Sequence, residues 1–391
     1  MQPAPRRWKQ AIFKATARIE HALRGRPVSS QADLRRIRNF LVLQYDSPLG
    51  SAVHASPLYE ALKTVMPDAY VTVAASSMAA SVLQHSPYID RCVVTPDPFR
   101  NFRGALHALR ELFRQIPPGP RCVVTTIGNQ RTRVAALGLL AGGAARVGYT
   151  LPAELYDVPL SFHPERGQIE GNLDILRALG HPVPFYEPRM FFTQEDVSYA
   201  QELLAPAQSP MQQPCIVYVT QNSRGQRNQW PVDRFQQTIS ELTKLCGAIP
   251  VFVGTPADHA AIEELRRNLP DAGISLAGKT TVPQLAAVLA QCDLVASLDT
   301  GTFHVARAVG LPGLVIAPAW QSPLEWLPVD CPNYRVLRGP SISIIPANYC
   351  IQEVTVSQVC GAAMDLLASY PAKPAARAER VQCSVRPGSE G

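Results

Sequence analysis

Short apolar runs alternate along this chain with longer stretches whose apolar positions recur at helical spacing. The first clear run, Asn39-Phe-Leu-Val-Leu-Gln-Tyr45, has so few polar residues that it predicts a strand buried in a parallel sheet. A helix over 52–65 follows, stopped by Pro67-Asp68. Strands over 70–75, 91–95, 121–127 and 145–149 continue the rhythm, with helices over 103–116, 132–140 and around 169–179. A second series opens at Cys215-Ile-Val-Tyr-Val-Thr220 and runs through strands over 249–253, 274–277, 294–298 and 314–317. Such alternation predicts doubly wound α/β domains. The expected domains are 39–180 and 214–350, joined by a proline-rich connector over 181–213 that holds a helix at about 194–204. A closing helix is expected within 351–370. The tail 371–391, rich in Pro, Ala, Arg and Ser, is expected to lack structure.

The stretch 293–310 is the sharpest local feature. Its first half reads as a buried strand and 302–309 as a helix, with Gly310 and Pro312 stopping that helix. Asp299, Thr300 and Gly301 fall between them, at the carboxyl end of a parallel strand, where α/β folds take ligands. Gly301 lets backbone approach a ligand, and free N–H groups at a helix start attract phosphate. His304 lies one turn into the helix. A nucleotide diphosphate suits such a turn. An ordinary turn capped by Asp299, with His304 on the surface, is the alternative.

Charge and cysteine content narrow the setting. The net charge is +6, but residues 1–38 hold ten Lys and Arg against Glu20 and Asp33, so the rest of the chain carries 6 − 8 = −2. The basicity belongs to an N-terminal extension, and no nucleic-acid-binding core is expected. Residues 6–25 can form a basic amphipathic helix with Trp8, Ile12, Ala15, Ile19 and Leu23 on one stripe. It would either lie on an anionic membrane surface or pack on its own domain. No apolar run approaches the ~20 residues that span a bilayer, and no secretory leader is visible. The nine cysteines are scattered with no C-x-x-C pair, as expected of reduced thiols in a cytoplasmic protein, and no metal is expected.

Five motifs together resemble glycosyltransferase family 9, the ADP-heptose:lipopolysaccharide heptosyltransferases. Asp299-Thr-Gly-Thr-Phe-His304 and the residues after it resemble the family's D-T-G-x-x-H signature, and Ser47-Pro-Leu-Gly-Ser51 its S-S-L-G-D loop. Trp230-Pro231 resembles its K-x-W-P segment, Gly254-Thr-Pro-Ala-Asp258 its G-x-P-x-E/D turn, and Leu276-Ala-Gly-Lys-Thr280 its L-x-G-x-T turn. The resemblance covers roughly 39–370 and implies the GT-B architecture, two Rossmann-like domains facing a central cleft. It also implies a nucleotide-sugar donor in the second domain. Thr300 and Gly301 would meet the diphosphate, supported by Asp299 and His304, with Ser223 and Arg224 nearby. Asp258 would take ribose hydroxyls, its alternative being a helix-capping carboxylate, and Thr280 and Val282 would border the base.

Two departures matter. The aspartate of L-G-D, the family's apparent general base, is Ser51 here, and serine cannot take a proton at neutral pH unaided. Asp46 and His54 are the local substitutes, and each could instead be structural. The lysine of K-x-W falls on Asn228, with Arg227 and Arg224 close enough in sequence to supply charge. The resemblance implies an inverting, metal-independent glycosyltransferase that moves a sugar, by family resemblance heptose from ADP-heptose, to a lipopolysaccharide-core or related saccharide acceptor, free or lipid-linked. It would work in the cytoplasm, at the inner face of the inner membrane if residues 6–25 bind there. A silent nucleotide-sugar-binding relative and a GT-B epimerase are the competing readings.

Overall fold

A computed structural model of the chain describes Ala15 and residues 31–45, 48–150, 153–207, 213–222 and 226–386. The amphipathic stretch 6–25, apart from Ala15, lies outside the described residues, as do Asp46, Ser223 and Arg224. The chain divides into two units, Met1–Pro188 and Arg189–Gly391.

Each unit is built on a parallel sheet. The first holds β1 (Asn39–Gln44), β2 (Tyr70–Ala75), β3 (Arg91–Val94), β4 (Arg121–Thr125), β5 (Ala145–Tyr149) and β6 (Val158–Leu160), in the order β3-β2-β1-β4-β5-β6. The second holds β7 (Cys215–Val219), β8 (Ile249–Phe252), β9 (Ile274–Ser275), β10 (Leu294–Leu298), β11 (Gly313–Ile316) and β12 (Tyr334–Leu337), in the order β12-β11-β10-β7-β8-β9. Both sheets start in the middle, run to one edge, then return to build the other side. The chain therefore reverses direction between β1 and β4 and again between β7 and β10. Rossmann-type sheets open a crevice at the carboxyl ends of such strand pairs.

Burial follows the apolar pattern. All six residues of β1 are buried, as in a strand covered on both faces. The helix Phe102–Gln115 buries Ala105, Leu109, Leu112 and Phe113, one stripe at helical spacing, and Asn101 caps it by accepting from the Gly104 N–H. The helix Val356–Ser369 sends Val359, Cys360, Ala363 and Leu366 into the core of the second unit, beside Leu314 and Ile316 of β11.

The departures from the sequence reading sit at the edges. The helix Leu49–Val65 begins earlier than expected, directly after Pro48, and carries Pro57 within it. The helix Ser77–Leu83 is too short to display a period. β6, with Pro159 at its centre, and β12, with Arg335, are edge strands without a continuous apolar run. Among the described residues, no helix is long and apolar enough to cross a membrane.

The tail differs most. Pro374–Ser384 is helical, contrary to the expectation from composition. Arg377 Nε donates to Asp293 Oδ1 at 2.8 Å and its Nη2 to Oδ2, while Arg380 Nε donates to Ala290 O at 3.1 Å. Phe192 and Val385 then pair as a parallel bridge. Asp293, which also accepts from the Cys215 N–H at 2.8 Å, lies immediately before β10. Two arginines one helical turn apart thus anchor a segment whose composition alone reads as disordered. Arg377→Ala should strip the cation from a buried carboxylate, at a cost on the order of 3 kcal/mol. Limited proteolysis should then cut within 373–386, and unaltered protease resistance would show that the helix docks without this pair.

Candidate functional site

Because the second sheet is wholly parallel, the loops after its strands emerge at one end. The loop after β10 is the central one. Leu298 ends the strand, Asp299 and Thr300 turn the chain, and the helix Gly301–Ala308 begins at once. Thr300 has extended backbone, and its side chain does not cap the helix it precedes. Its hydroxyl lies 3.5 Å from Ser297 Oγ instead. The helices after Thr193, Thr281 and Thr355 each carry a full capping box. The Gly301 helix presents its first-turn N–H groups without one, which leaves partial positive charge for an anion.

The side chains around this turn are buried and apolar in their surroundings. Asp299 is 8% exposed and His304 4%. The His304 ring packs 5.9 Å from Phe303 and 6.0 Å from Trp326, centre to centre. Burial, with a smaller contribution from Arg307, pushes the imidazole down to about 3. Burial, then the nearby Glu325, pushes the Asp299 carboxyl up to about 6. His304 Nε2 and Asp299 Oδ1 are 3.7 Å apart, beyond good hydrogen-bond distance, and the imidazole is neutral at pH 7. They are neighbours, not an ion pair.

The segment 226–230 is stitched over these strand ends. Asn228 Nδ2 donates to Asp299 O at 2.7 Å, and Trp320 Nε1, after β11, donates to Arg227 O at 2.7 Å. Trp230 is fully buried, and its Nε1 donates to Val354 O at 3.0 Å.

Part of the chain is similar to a known family. The pattern described as glycosyltransferase family 9 (heptosyltransferase) matches residues 133–317, which include the whole turn. Those residues, just under half of the chain, are similar to glycosyltransferase family 9. A lipooligosaccharide heptosyltransferase 2 from Haemophilus influenzae is 27% identical over 122 residues, 29% of this chain and 35% of that protein. The chain therefore matches about a third of that relative's length. A family 9 glycosyl transferase from Veillonella parvula superposes with a TM-score of 0.76 at 20% identity, covering 85% of this chain and 98% of that one. The E. coli ADP-heptose lps heptosyltransferase II gives 0.68 at 22% identity, covering 85% and 99%. At these identities the structures establish the fold, GT-B with two Rossmann-like units.

The other family-like segments of the second unit lie after strands of the same sheet. Asp258 follows β8, and its Oδ2 accepts from the Thr255 N–H at 2.7 Å and the Thr255 hydroxyl at 2.8 Å, closing a capping box. That is the capping alternative, with Oδ2 committed to the turn. Thr280 and Val282 flank Thr281, the cap of the next helix, and both are half-buried. Arg227 is exposed, and its Nη1 donates to Pro346 O at 3.4 Å. Trp320, Glu325 and Trp326 join the site without having been singled out in the sequence. Their signal was position alone, just past the carboxyl end of the strand beside β10.

In the first unit, Ser51 and His54 share the opening turns of the helix Leu49–Val65. Ser51 is buried, and His54 is 1% exposed, with its carbonyl accepting from Asn172 Nδ2 at 3.0 Å. A polar chain unforeseen from the sequence spans the β1–β4 crevice. Thr126 Oγ1 donates to Gln44 Oε1 at 3.0 Å and accepts from Asn129 Nδ2 at 2.8 Å, and Asn129 Oδ1 takes the Tyr45 N–H at 2.7 Å. Among the described residues, no group of His, Cys, Asp and Glu could hold a metal ion.

The two shifted groups of the donor-side turn act oppositely on stability. Asp299, raised from 3.8 to about 6, costs the fold nothing below pH 4 and its full penalty above pH 6. His304, lowered from 6.5 to about 3, costs stability as the pH falls through that range. Asp299→Asn should therefore stabilise the empty protein at pH 8, by up to about 3 kcal/mol, and leave its melting temperature little changed at pH 4. Melting curves at both pH values check this. An Asn variant that melts lower at pH 8 would mean the ionised carboxylate is held by a partner.

Proposed function

We propose that this protein is a family 9 glycosyltransferase that binds a nucleotide-sugar donor at the turn after β10 and transfers the sugar with inversion. The observation that carries the reading is the Gly301 helix start. It lacks a side-chain cap, and it is preceded by a buried carboxyl just past the end of a strand at the reversal point of the sheet. As the glycosidic bond breaks, charge grows on the leaving diphosphate, and fixed N–H dipoles at Gly301 and Thr302 meet it without reorganising. Gly301 matters because a side chain there would stand between backbone and phosphate. Arg227, exposed on the neighbouring segment, supplies the mobile positive charge.

The finer assignment is ADP-heptose as donor and a lipopolysaccharide-core or other lipid-linked saccharide as acceptor. It rests on the five motifs and on the similarity to heptosyltransferases. Residues 6–25 would add contact with an anionic membrane face. Asp46 and His54 remain the proposed proton acceptors in place of the family's aspartate, with Ser51 at that aspartate's position. A second reading, a relative that binds nucleotide sugars without transferring, draws on one observation. His54 is 1% exposed, so the imidazole would have to be uncovered before it could meet an acceptor hydroxyl.

Gly301→Val should weaken ADP binding at least tenfold by calorimetry while the fold survives, since the branched side chain blocks only the phosphate approach. Equal ADP and UDP affinity in variant and wild type would remove the donor site from this turn. Transfer from ADP-heptose separates the two functional readings. On the enzyme reading, Ser51→Asp holds or raises the rate and Asp46→Asn lowers kcat by about 10²–10⁴-fold. On the silent reading the wild type binds donor without turnover.

A further inference from the structure

Asn228 is 3% exposed and lies against the donor-side turn. Its Nδ2 donates to Asp299 O at 2.7 Å and more loosely to Gln226 Oε1 at 3.4 Å. Asp299 O is a backbone carbonyl with no proton to give, and it is the closer partner. Turning the amide over would set carbonyl against carbonyl, so the assignment of nitrogen and oxygen is fixed by its surroundings. The oxygen, Oδ1, is buried and has no hydrogen-bond partner among the described residues. Leaving such an acceptor unmet costs roughly 1–3 kcal/mol.

The chemistry of that atom restricts what can satisfy it. An ionised diphosphate offers only acceptor oxygens, so it cannot pair with an amide oxygen. A hydroxyl can, and a nucleotide sugar carries hydroxyls on both sides of its diphosphate, on the ribose and on the transferred sugar. We infer that Asn228 Oδ1 accepts a hydrogen bond from a hydroxyl on one of the two sugars that flank the diphosphate. The inference rests on the donor-site reading above and changes the role of this position within it. Where a lysine would read phosphate charge, Asn228 reads a sugar hydroxyl. On this inference the same amide works at both ends: its nitrogen holds the turn at Asp299, and its oxygen, covered in this structure, is uncovered for the guest when the donor binds. A site built this way discriminates against ligands that lack the hydroxyl, because their binding leaves the buried oxygen unmet.

Two variants of the full-length chain separate the ends of the amide. Asn228→Ala removes donor and acceptor together. Asn228→Lys keeps a donor for Asp299 O and has no acceptor. Calorimetric affinities would be measured for ADP, 2′,3′-dideoxy-ADP and ADP-heptose, with melting curves confirming the fold. If the ribose supplies the hydroxyl, the preference for ADP over the dideoxy compound should fall about 3–10-fold in both variants. If the transferred sugar supplies it, the preference for ADP-heptose over ADP should fall by that factor while ADP against dideoxy-ADP is unchanged. Comparing preferences cancels the added charge of lysine. Should Asn228→Ala fail to fold, Asn228→Lys alone still reads the acceptor. Wild-type affinity for ADP with both preferences intact in Asn228→Lys would overturn this inference and leave the donor site standing. A wild type that binds none of the three ligands would overturn both.

Discussion

The hydrogen bond from Asn228 Nδ2 to Asp299 O holds together what the second unit offers a ligand. Asp299 O belongs to the peptide that turns the chain out of β10, and Thr300 and Gly301 follow immediately. A carbonyl at that place, buried and without a ladder partner, needs a donor. Asn228 provides it from a segment that Trp320 and Trp230 pin on either side. The turn is therefore set by side chains from two other loops, and the helix start does not need its own threonine to define it. This leaves Thr300 Oγ1 near Ser297 and the first-turn N–H groups without a side-chain cap.

The first unit solves the same geometric problem differently. Its reversal point between β1 and β4 is crossed by a relay of neutral amides and hydroxyls, Gln44, Thr126 and Asn129, with Asn172 accepting from the Ile127 N–H at 3.1 Å. Every member is buried, so each bond made there is stronger than in water and each omission costlier. One crevice is lined with an uncapped helix start and shifted titratable groups, the other with a satisfied neutral network. Such a division suits a protein whose charged ligand sits in one unit.

The doubly wound plan was legible in the sequence because it rests on apolar runs such as Asn39–Gln44 and Leu294–Leu298, which no other context would bury so fully. The turn at 299–301 was legible too, since strand, glycine and helix follow one another without a gap. What escaped depends on partners distant in sequence. Trp320 serves the site through Arg227, 93 positions away, and Asn129 meets Tyr45 across 84. No local pattern marks such residues. The C-terminal helix escaped for the same reason: Arg377 and Arg380 look like solvated charge until Asp293 and the Ala290 carbonyl are brought to them. Asp258 is the opposite case, a carboxylate whose local spacing from Thr255 already contained its capping role.

One departure from the family pattern, asparagine at 228, has an electrostatic consequence at Asp299. A lysine at position 228 would lie close to this buried carboxyl and favour its ionised form. With asparagine there, burial and Glu325 are the influences left, and both raise the carboxyl toward about 6. A diphosphate at the Gly301 helix start adds negative charge beside it and pushes in the same direction. On the proposed reading, donor binding therefore draws a proton onto Asp299, and a protonated carboxyl can donate to a phosphate oxygen where an ionised one would repel it. The neutral Asn228 and the reluctant Asp299 are then one arrangement: the charge lost with the lysine is matched by a charge the aspartate gives up.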